Sequence, residues 1–173
     1  MKHAMMAMAS MGVIAGIAQS QQPPEALPPA QALSFMLGHW QGEGWRISAQ
    51  GERQVYRIEE TLTAQAGGHA ISIVGIGEAG EGEDARRIHN AYAMIWRERD
   101  GRYRMRSVVA PGYTIETTPE LTGNGYVWDL NAGPMTIRYE TVIADGLWIE
   151  TGEQLLPSGE TVQVHEMRLR RVD

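Results

Sequence analysis

The sequence contains no cysteine, which excludes disulfides, thiolate metal sites, thiol nucleophiles and a lipid-anchoring cysteine. Basic residues are also few: 15 Lys and Arg stand against 21 Asp and Glu, giving a net charge of −6. Because nucleic-acid binding depends on basic surface, no nucleic-acid partner is expected. The 173 residues, 43% of them hydrophobic, instead predict one globular domain, and the 20 glycines favour many turns.

The first twenty residues differ from the rest of the chain. Lys2 is the only lysine, and residues 4–18 form an uncharged, largely apolar run that is too short for a typical membrane span. Ala18 and Ser20 fit the small-x-small pattern of a secretory cleavage site. We therefore predict a signal peptide at residues 1–20, a proline-rich tether at 21–29 and one domain at 30–173. The predicted location is periplasmic or secreted, with no membrane span in the mature chain; an uncleaved anchor is the alternative.

Beyond residue 38 the pattern is that of short strands separated by turn residues. A short helix is predicted at residues 30–37, ended by Gly38. Alternating or β-branched runs predict ten strands, at residues 42–48, 54–63, 69–76, 87–97, 103–109, 113–118, 126–130, 135–143, 147–155 and 161–171. Tight turns between them indicate an all-β, antiparallel up-and-down meander. Closure into a barrel would hide both edges, with the short N-terminal helix covering one end.

Residue parity along each predicted strand separates an inner face from an outer one. A ten-stranded barrel is wide enough to leave a cavity. The residues assigned to its lining, and hence to ligand binding, are Tyr92, Met94, Trp96, Tyr103, Met105, Met135, Ile137, Tyr139, His165 and Met167. Methionine-rich walls adapt to irregular apolar molecules, so the expected partner is a small, mostly apolar ligand. The same residues are equally consistent with an ordinary filled core.

Residues 33–44 read Leu-Ser-Phe-Met-Leu-Gly-His-Trp-Gln-Gly-Glu-Gly, and they carry a Gly-x-Trp motif at Gly38 and Trp40. This segment resembles the opening signature of the calycin (lipocalin-like) β-barrels. The nitrobindin branch, ten-stranded barrels that bind haem, is similar, and so is a set of uncharacterised bacterial lipocalin-like domains. In calycins an arginine of the last strand stacks over this tryptophan. The resemblance therefore implies a structural contact between Arg171 and Trp40.

His165 lies on the last predicted strand, on the inner face with Met167. Its position is similar to that of the nitrobindin iron ligand, so the resemblance implies that haem b is a possible cofactor with His165 as its axial ligand. The alternative is a lumen histidine that is hydrogen-bonded to a neighbouring tyrosine, serine or carboxylate. His69 and His89 begin strands and are predicted to be exposed. No other metal or cofactor site is predicted.

The sequence gives little support for an enzyme, and no catalytic residue is assigned. It has neither a Gly-x-Ser-x-Gly elbow nor a phosphate-binding glycine loop before a helix. The one acid–base set considered combines an inward Glu60 with Tyr139 or His165, provided that they face one space. Three hypotheses therefore remain: a non-catalytic binder of a small apolar ligand, a haem-binding barrel, and a protein-interaction module with a filled interior.

Overall fold

The computed structural model of the protein describes residues 28–172. The predicted signal peptide and residues 21–27 of the predicted tether lie outside the described residues. None of the helices among residues 28–172 has the length and apolar character needed to cross a membrane.

The described chain begins with a short helical segment and continues as strands. Helix α1 spans Pro29–Ala32, with proline at its first position, and a 3₁₀ turn follows at Ser34–Met36. The strands are β1 (Gly38–Ile47), β2 (Arg53–Gln65), β3 (Ala70–Ala79), β4 (Arg86–Arg97), β5 (Tyr103–Val109), β6 (Tyr113–Thr117), β7 (Glu120–Leu121), β8 (Gly125–Ala132), β9 (Met135–Ala144), β10 (Leu147–Leu155) and β11 (Thr161–Arg171). Further 3₁₀ turns lie at Ala66–Gly68 and Gly82–Asp84.

All eleven strands of the described chain belong to one antiparallel sheet, in the order β6-β5-β4-β3-β2-β1-β11-β10-β9-β8-β7. Strands that follow one another in sequence pair with each other except β6 and β7, and the first and last strands also pair, with Gly44 opposite Met167. The two edges are β6 and β7, at the middle of the chain. The sheet curls into a half-barrel, and Thr117 of β6 reaches β8 through a hydrogen bond from its Oγ1 to the Asp129 carbonyl, 3.1 Å long.

The predicted all-β meander with a short N-terminal helix is confirmed. The predicted ranges of β5 and β10 coincide with the observed ones, as does that of β11, and most others differ by one to four residues at an end. The two-residue strand β7 was not predicted. Barrel closure was expected to pair every edge, but the backbone ladder stays open between β6 and β7.

One end of the half-barrel is closed by the helical segment. Leu33 and Met36 are fully buried there, and the Trp40 indole donates from Nε1 to the Met36 carbonyl at 2.9 Å. The Arg171 guanidinium lies 4.3 Å above the Trp40 ring and donates to the carbonyls of Phe35, at 2.7 Å, and Leu37. The contact between Arg171 and Trp40 that the resemblance implied is therefore present, and it ties the last strand to the helical segment.

The predicted faces of β4 are wrong. Tyr92 and Met94 are 52% and 38% exposed, and Trp96 shares their outward parity. The inner face instead carries small or aliphatic residues, including Ala93 and the fully buried Ile95. Large apolar residues were assigned to the interior on hydrophobicity alone. A strand that lines a cavity, however, keeps space open by placing small side chains inside.

Candidate ligand-binding site

The half-barrel encloses a cavity of about 650 Å³. Its lining includes Arg46 and the following residues 47–49, together with Gln154, so the cavity opens at the end opposite the helical segment. A volume of this size is typical of sites for drug-sized molecules. The filled interior that the protein-interaction hypothesis assumed is therefore not observed.

The cavity has two chemically different walls. Strands β3 to β6 supply an apolar wall, made mainly of Ile73, Ala91, Ala93, Met105, Val109 and Ile115. The opposite wall, from β1, β2 and β8 to β11, is rich in aromatic and ionisable groups and is called the polar wall below. It contains Arg46, Tyr56, Glu60, Tyr126, Trp128, Tyr139, Trp148, Glu150 and His165. An amphipathic molecule would match this division.

Glu60 lies deep in the cavity. It pairs with Trp40 of β1 and with Gly75 of β3, and only 7% of the residue is exposed. Gly75 makes room for the carboxyl group, because a Cβ there would lie 2.6 Å from Glu60 Oε1. Burial, reinforced by the negative charge of Glu150, raises the pKa of Glu60 to about 8. Glu60 is therefore mostly protonated at neutral pH.

Glu150 and His165 lie side by side nearer the middle of the same wall, without a hydrogen bond between them. Glu150 Oε2 accepts a 2.7 Å hydrogen bond from Thr141, and Glu150 Oε1 lies 3.5 Å from His165 Nε2. The other ring nitrogen, His165 Nδ1, lies 3.3 Å from the Tyr56 hydroxyl. The carboxylate favours a proton on Nε2, which leaves Nδ1 to accept from Tyr56. His165 is thus a lumen histidine with a tyrosine and a carboxylate as neighbours.

Aromatic rings fill the remainder of this wall. Trp128 stacks on Tyr139 with ring centroids 4.4 Å apart, and Tyr139 meets the His165 ring edge-on at 5.5 Å. Burial raises the pKa of the Tyr56, Tyr126 and Tyr139 hydroxyls above the ordinary value for tyrosine. These hydroxyls therefore remain neutral hydrogen-bonding groups throughout the physiological pH range.

Buried polar atoms without a hydrogen-bond partner are concentrated in this cavity. Among residues 28–172 there are four such side-chain atoms: Glu60 Oε2, Trp128 Nε1, Trp148 Nε1 and His165 Nε2. All four residues line the cavity. Since buried polar groups are nearly always paired in folded proteins, this concentration marks a place where polar contacts from a ligand would be gained.

Most of the residues that the sequence assigned to the interior do face it. Met105, Met135, Ile137, Tyr139, His165 and Met167 line the cavity, and Tyr103 packs against the core. Glu60, Tyr139 and His165, considered together as an acid–base set, face the same space, but no hydrogen bond joins Glu60 to either of them. Tyr92, Met94 and Trp96 are on the outside.

Sequence reasoning missed Glu150 and misplaced His89. Glu150 lies two residues after the buried Trp148 on β10 and therefore on the same face, so the alternation would have placed it inside. His89 was expected to be exposed at a strand start, but it lines the cavity, and burial lowers its pKa. Its inward parity with Ala91 and Ala93 was hidden by the wrong choice of faces for β4.

The arrangement around His165 does not fit an axial haem ligand. Iron binding needs an unprotonated imidazole nitrogen whose lone pair is free. Nδ1 is engaged by Tyr56, and Nε2 faces the Glu150 carboxylate, which favours a proton on that nitrogen.

Comparison with known proteins identifies the fold. Protein Rv2717c from M. tuberculosis superposes with a TM-score of 0.64 at 16% sequence identity, covering 85% of this chain and 99% of that one. The S-type phycobiliprotein lyase CPES from Guillardia theta superposes with a TM-score of 0.57 at 9% identity, covering 85% and 94%. The chain shares its antiparallel half-barrel fold with these two proteins. No protein-family model and no curated protein matches the sequence.

Proposed function

We propose that the protein binds a small, mostly apolar molecule carrying a polar group in the lumen of the half-barrel and releases it chemically unchanged. The observation that carries this proposal is the cavity of about 650 Å³, whose lining combines an apolar wall with unpartnered polar atoms of Glu60, Trp128 and Trp148. Apolar walls supply affinity in such sites, and a few polar groups fix the orientation of the ligand. The basic, then apolar start of the chain supports binding outside the cytoplasm.

The absence of chemistry is part of the proposal. A general base at neutral pH has to be unprotonated, whereas Glu60 holds its proton up to about pH 8. The nitrogens of His165 are directed at Tyr56 and Glu150 rather than at the open space. In this proposal both side chains act as hydrogen-bonding groups towards the ligand.

Filling the lumen tests ligand binding directly. Ser107 of β5 lines the cavity, and its neighbour Val108 points outward and is 50% exposed. We expect Ser107→Trp to weaken binding of the uncharged fluorophore N-phenyl-1-naphthylamine by about tenfold or more, a loss of at least ~1.4 kcal/mol. Val108→Trp, on the same strand, should bind as the parent does. The probe is excited at a wavelength that tryptophan does not absorb.

Equal affinity in the two tryptophan variants would place the probe outside the lumen. Failure of the folded parent protein to bind the probe at all would remove the basis of the proposal. Circular dichroism of each variant separates loss of binding from loss of fold.

The proposal includes no haem, and a hemin titration tests this. We expect the parent protein and His165→Ala to give the same absorption spectrum with micromolar hemin, because neither ring nitrogen of His165 has a free lone pair. A sharpened Soret band in the parent that disappears in folded His165→Ala would show that His165 binds iron.

A further inference from the structure

The deepest polar group in the cavity is a carboxyl group without a partner. Glu60 Oε2 accepts no hydrogen bond, and the residue is 7% exposed and faces the lumen. Its register partner on β1 is Trp40, at the closed end. A buried carboxyl group normally has a hydrogen-bond donor or a cation beside it, because its desolvation is otherwise uncompensated. Among the described residues, none donates a hydrogen bond to Glu60 Oε2.

A second carboxylate faces the same space. Glu150 lines the cavity and is close enough to contribute to the raised pKa of Glu60. Thr141 supplies one hydrogen bond to Glu150 Oε2, and His165 lies beside Oε1. Two carboxyl groups in one enclosed space repel each other when both are ionised, and a positive charge placed near both would relieve that repulsion.

No arginine or lysine among residues 28–172 lines the cavity at the depth of Glu60, because the Arg171 guanidinium at that level is stacked on Trp40 and does not line the cavity. The only lysine in the sequence is Lys2, which lies outside the described residues. Of the arginines among residues 28–172, only Arg46 lines the cavity. Arg46 lies six positions along β1 from Trp40, the partner of Glu60, which is about 20 Å at the usual rise per residue. Arg46 is the register partner of His165, so its charge lies at the level of His165 and towards the mouth, away from Glu60.

Aromatic rings surround the two carboxyl groups. Tyr56, Tyr126 and Trp148 line the same wall, and the stacked pair of Trp128 and Tyr139 lies next to His165. Faces of tyrosine and tryptophan rings attract organic cations, most strongly when water is excluded. Carboxylates together with aromatic rings are the chemistry that recognises an ammonium group.

We propose that the ligand of this cavity is an organic cation, an ammonium group on an apolar body, held at depth by Glu60 and Glu150 among the aromatic rings. This inference rests on the proposed function and specifies its ligand class. The apolar wall from β3 to β6 would contact the body of the ligand.

Binding of a cation favours the ionised form of Glu60. Below about pH 8, cation binding therefore displaces the proton that Glu60 carries. The affinity should therefore rise about tenfold between pH 7 and pH 9, because the pKa of free Glu60 is about 8. The other titratable or charged side chains that line the cavity are Arg46, Tyr56, His89, Tyr126, Tyr139, Glu150 and His165. All of these are unchanged in Glu60→Gln, so comparing that variant with the parent isolates Glu60.

The test uses three probes of similar shape. Phenyltrimethylammonium carries a permanent positive charge, tert-butylbenzene is its uncharged isostere, and benzoate is an anion. Binding is measured by displacement of N-phenyl-1-naphthylamine. We expect phenyltrimethylammonium to bind at least tenfold more tightly than tert-butylbenzene at pH 9, and benzoate to bind most weakly.

Two variants complete the design. Glu60→Gln leaves Glu150 and the aromatic rings in place, so it should lower the preference for the cation at pH 9 by about threefold or more and remove the pH dependence of cation binding. Glu59→Gln is the matched control, because Glu59 is exposed on the outer face of the same strand, and it should behave as the parent.

The outcomes distinguish the two proposals. If tert-butylbenzene binds as tightly as the cation in the parent protein, or Glu60→Gln leaves the preference for the cation undiminished, the proposed role of Glu60 in ammonium binding is wrong and lumenal binding stands. If none of the probes displaces the fluorophore and Ser107→Trp does not weaken its binding, the proposed function itself fails.

Discussion

Replacing Glu60 by glutamine is expected to make the protein several kcal/mol more stable at pH 9, while changing its stability little at pH 5. The pKa of Glu60 rises from an ordinary 4.5 to about 8 on folding, chiefly through burial. Between these values the folded state binds a proton that the unfolded state has lost, so the parent protein loses about 1.4 kcal/mol of stability per pH unit. Above pH 8 the loss is complete. Glutamine cannot ionise, so the Glu60→Gln variant does not lose this stability.

The measurement is urea unfolding of the parent and Glu60→Gln from pH 5 to pH 9. The difference in free energy of unfolding should widen steadily up to about pH 8 and then level off. Glu59→Gln, at an exposed position, should follow the parent at every pH. Curves for Glu60→Gln and the parent that run parallel across this range would show that the Glu60 carboxyl group is not held in a desolvated site.

Removing the Arg171 side chain is expected to cost about 3 kcal/mol of stability. The guanidinium stacks on Trp40 and donates to the carbonyls of Phe35 and Leu37, so Arg171→Ala removes a cation–π contact and two charge-assisted hydrogen bonds. The two carbonyl groups then lose their donor at the closed end of the half-barrel. Chemical denaturation of Arg171→Ala measures the effect.

Arg170 provides the control for Arg171. It is the preceding residue on β11, is exposed on the outer face, and should cost less than about 0.5 kcal/mol when replaced by alanine, as is usual at surface positions. Equal, small losses in the two variants would mean that Arg171 does not hold the helical segment in place.

The fold was predictable because its signals are local. Alternation along each strand and glycine-containing turns indicated ten of the eleven strands, and β7 was missed because two residues are too few to show a period. Trp40 and Arg171 could be paired because they occupy a recognisable motif and a fixed position on the last strand. The absence of pairing between β6 and β7 depends on the curvature of the whole sheet, which cannot be predicted from any short segment of the sequence.

The site was predictable only in part. Alternation gave the correct faces for β5, β9 and β11, where charged residues mark the outside, as Arg104 and Arg106 do on β5. It failed on β4, where the outer face is itself apolar: Val74, Tyr92 and Val108 lie side by side across β3, β4 and β5, all exposed. Hydrophobicity alone does not distinguish an exposed apolar row from a buried one.

The polar wall was harder still to predict because its members come from distant parts of the sequence. Tyr56 and His165 are 109 positions apart and are brought together through Gly44, which lies between Tyr56 and Met167 in the ladder. Glu60 was recognised as an inward acid, but its proximity to Glu150 depends on how β2 and β10 face each other across the lumen. The distance between Glu60 and Glu150 depends on how the whole sheet curls, which the sequence of one strand does not show.

The pairing of β1 with β11 means that the first and last strands complete each other. Until β11 is in place, β1 has a neighbour only on its β2 side, and its other edge lacks the partners that Trp40 and Gly44 find in Arg171 and Met167. Contacts this distant in sequence slow folding, because a long loop must close before they form. The wall that β1, β2 and β11 share is therefore complete only once β11 has paired with β1.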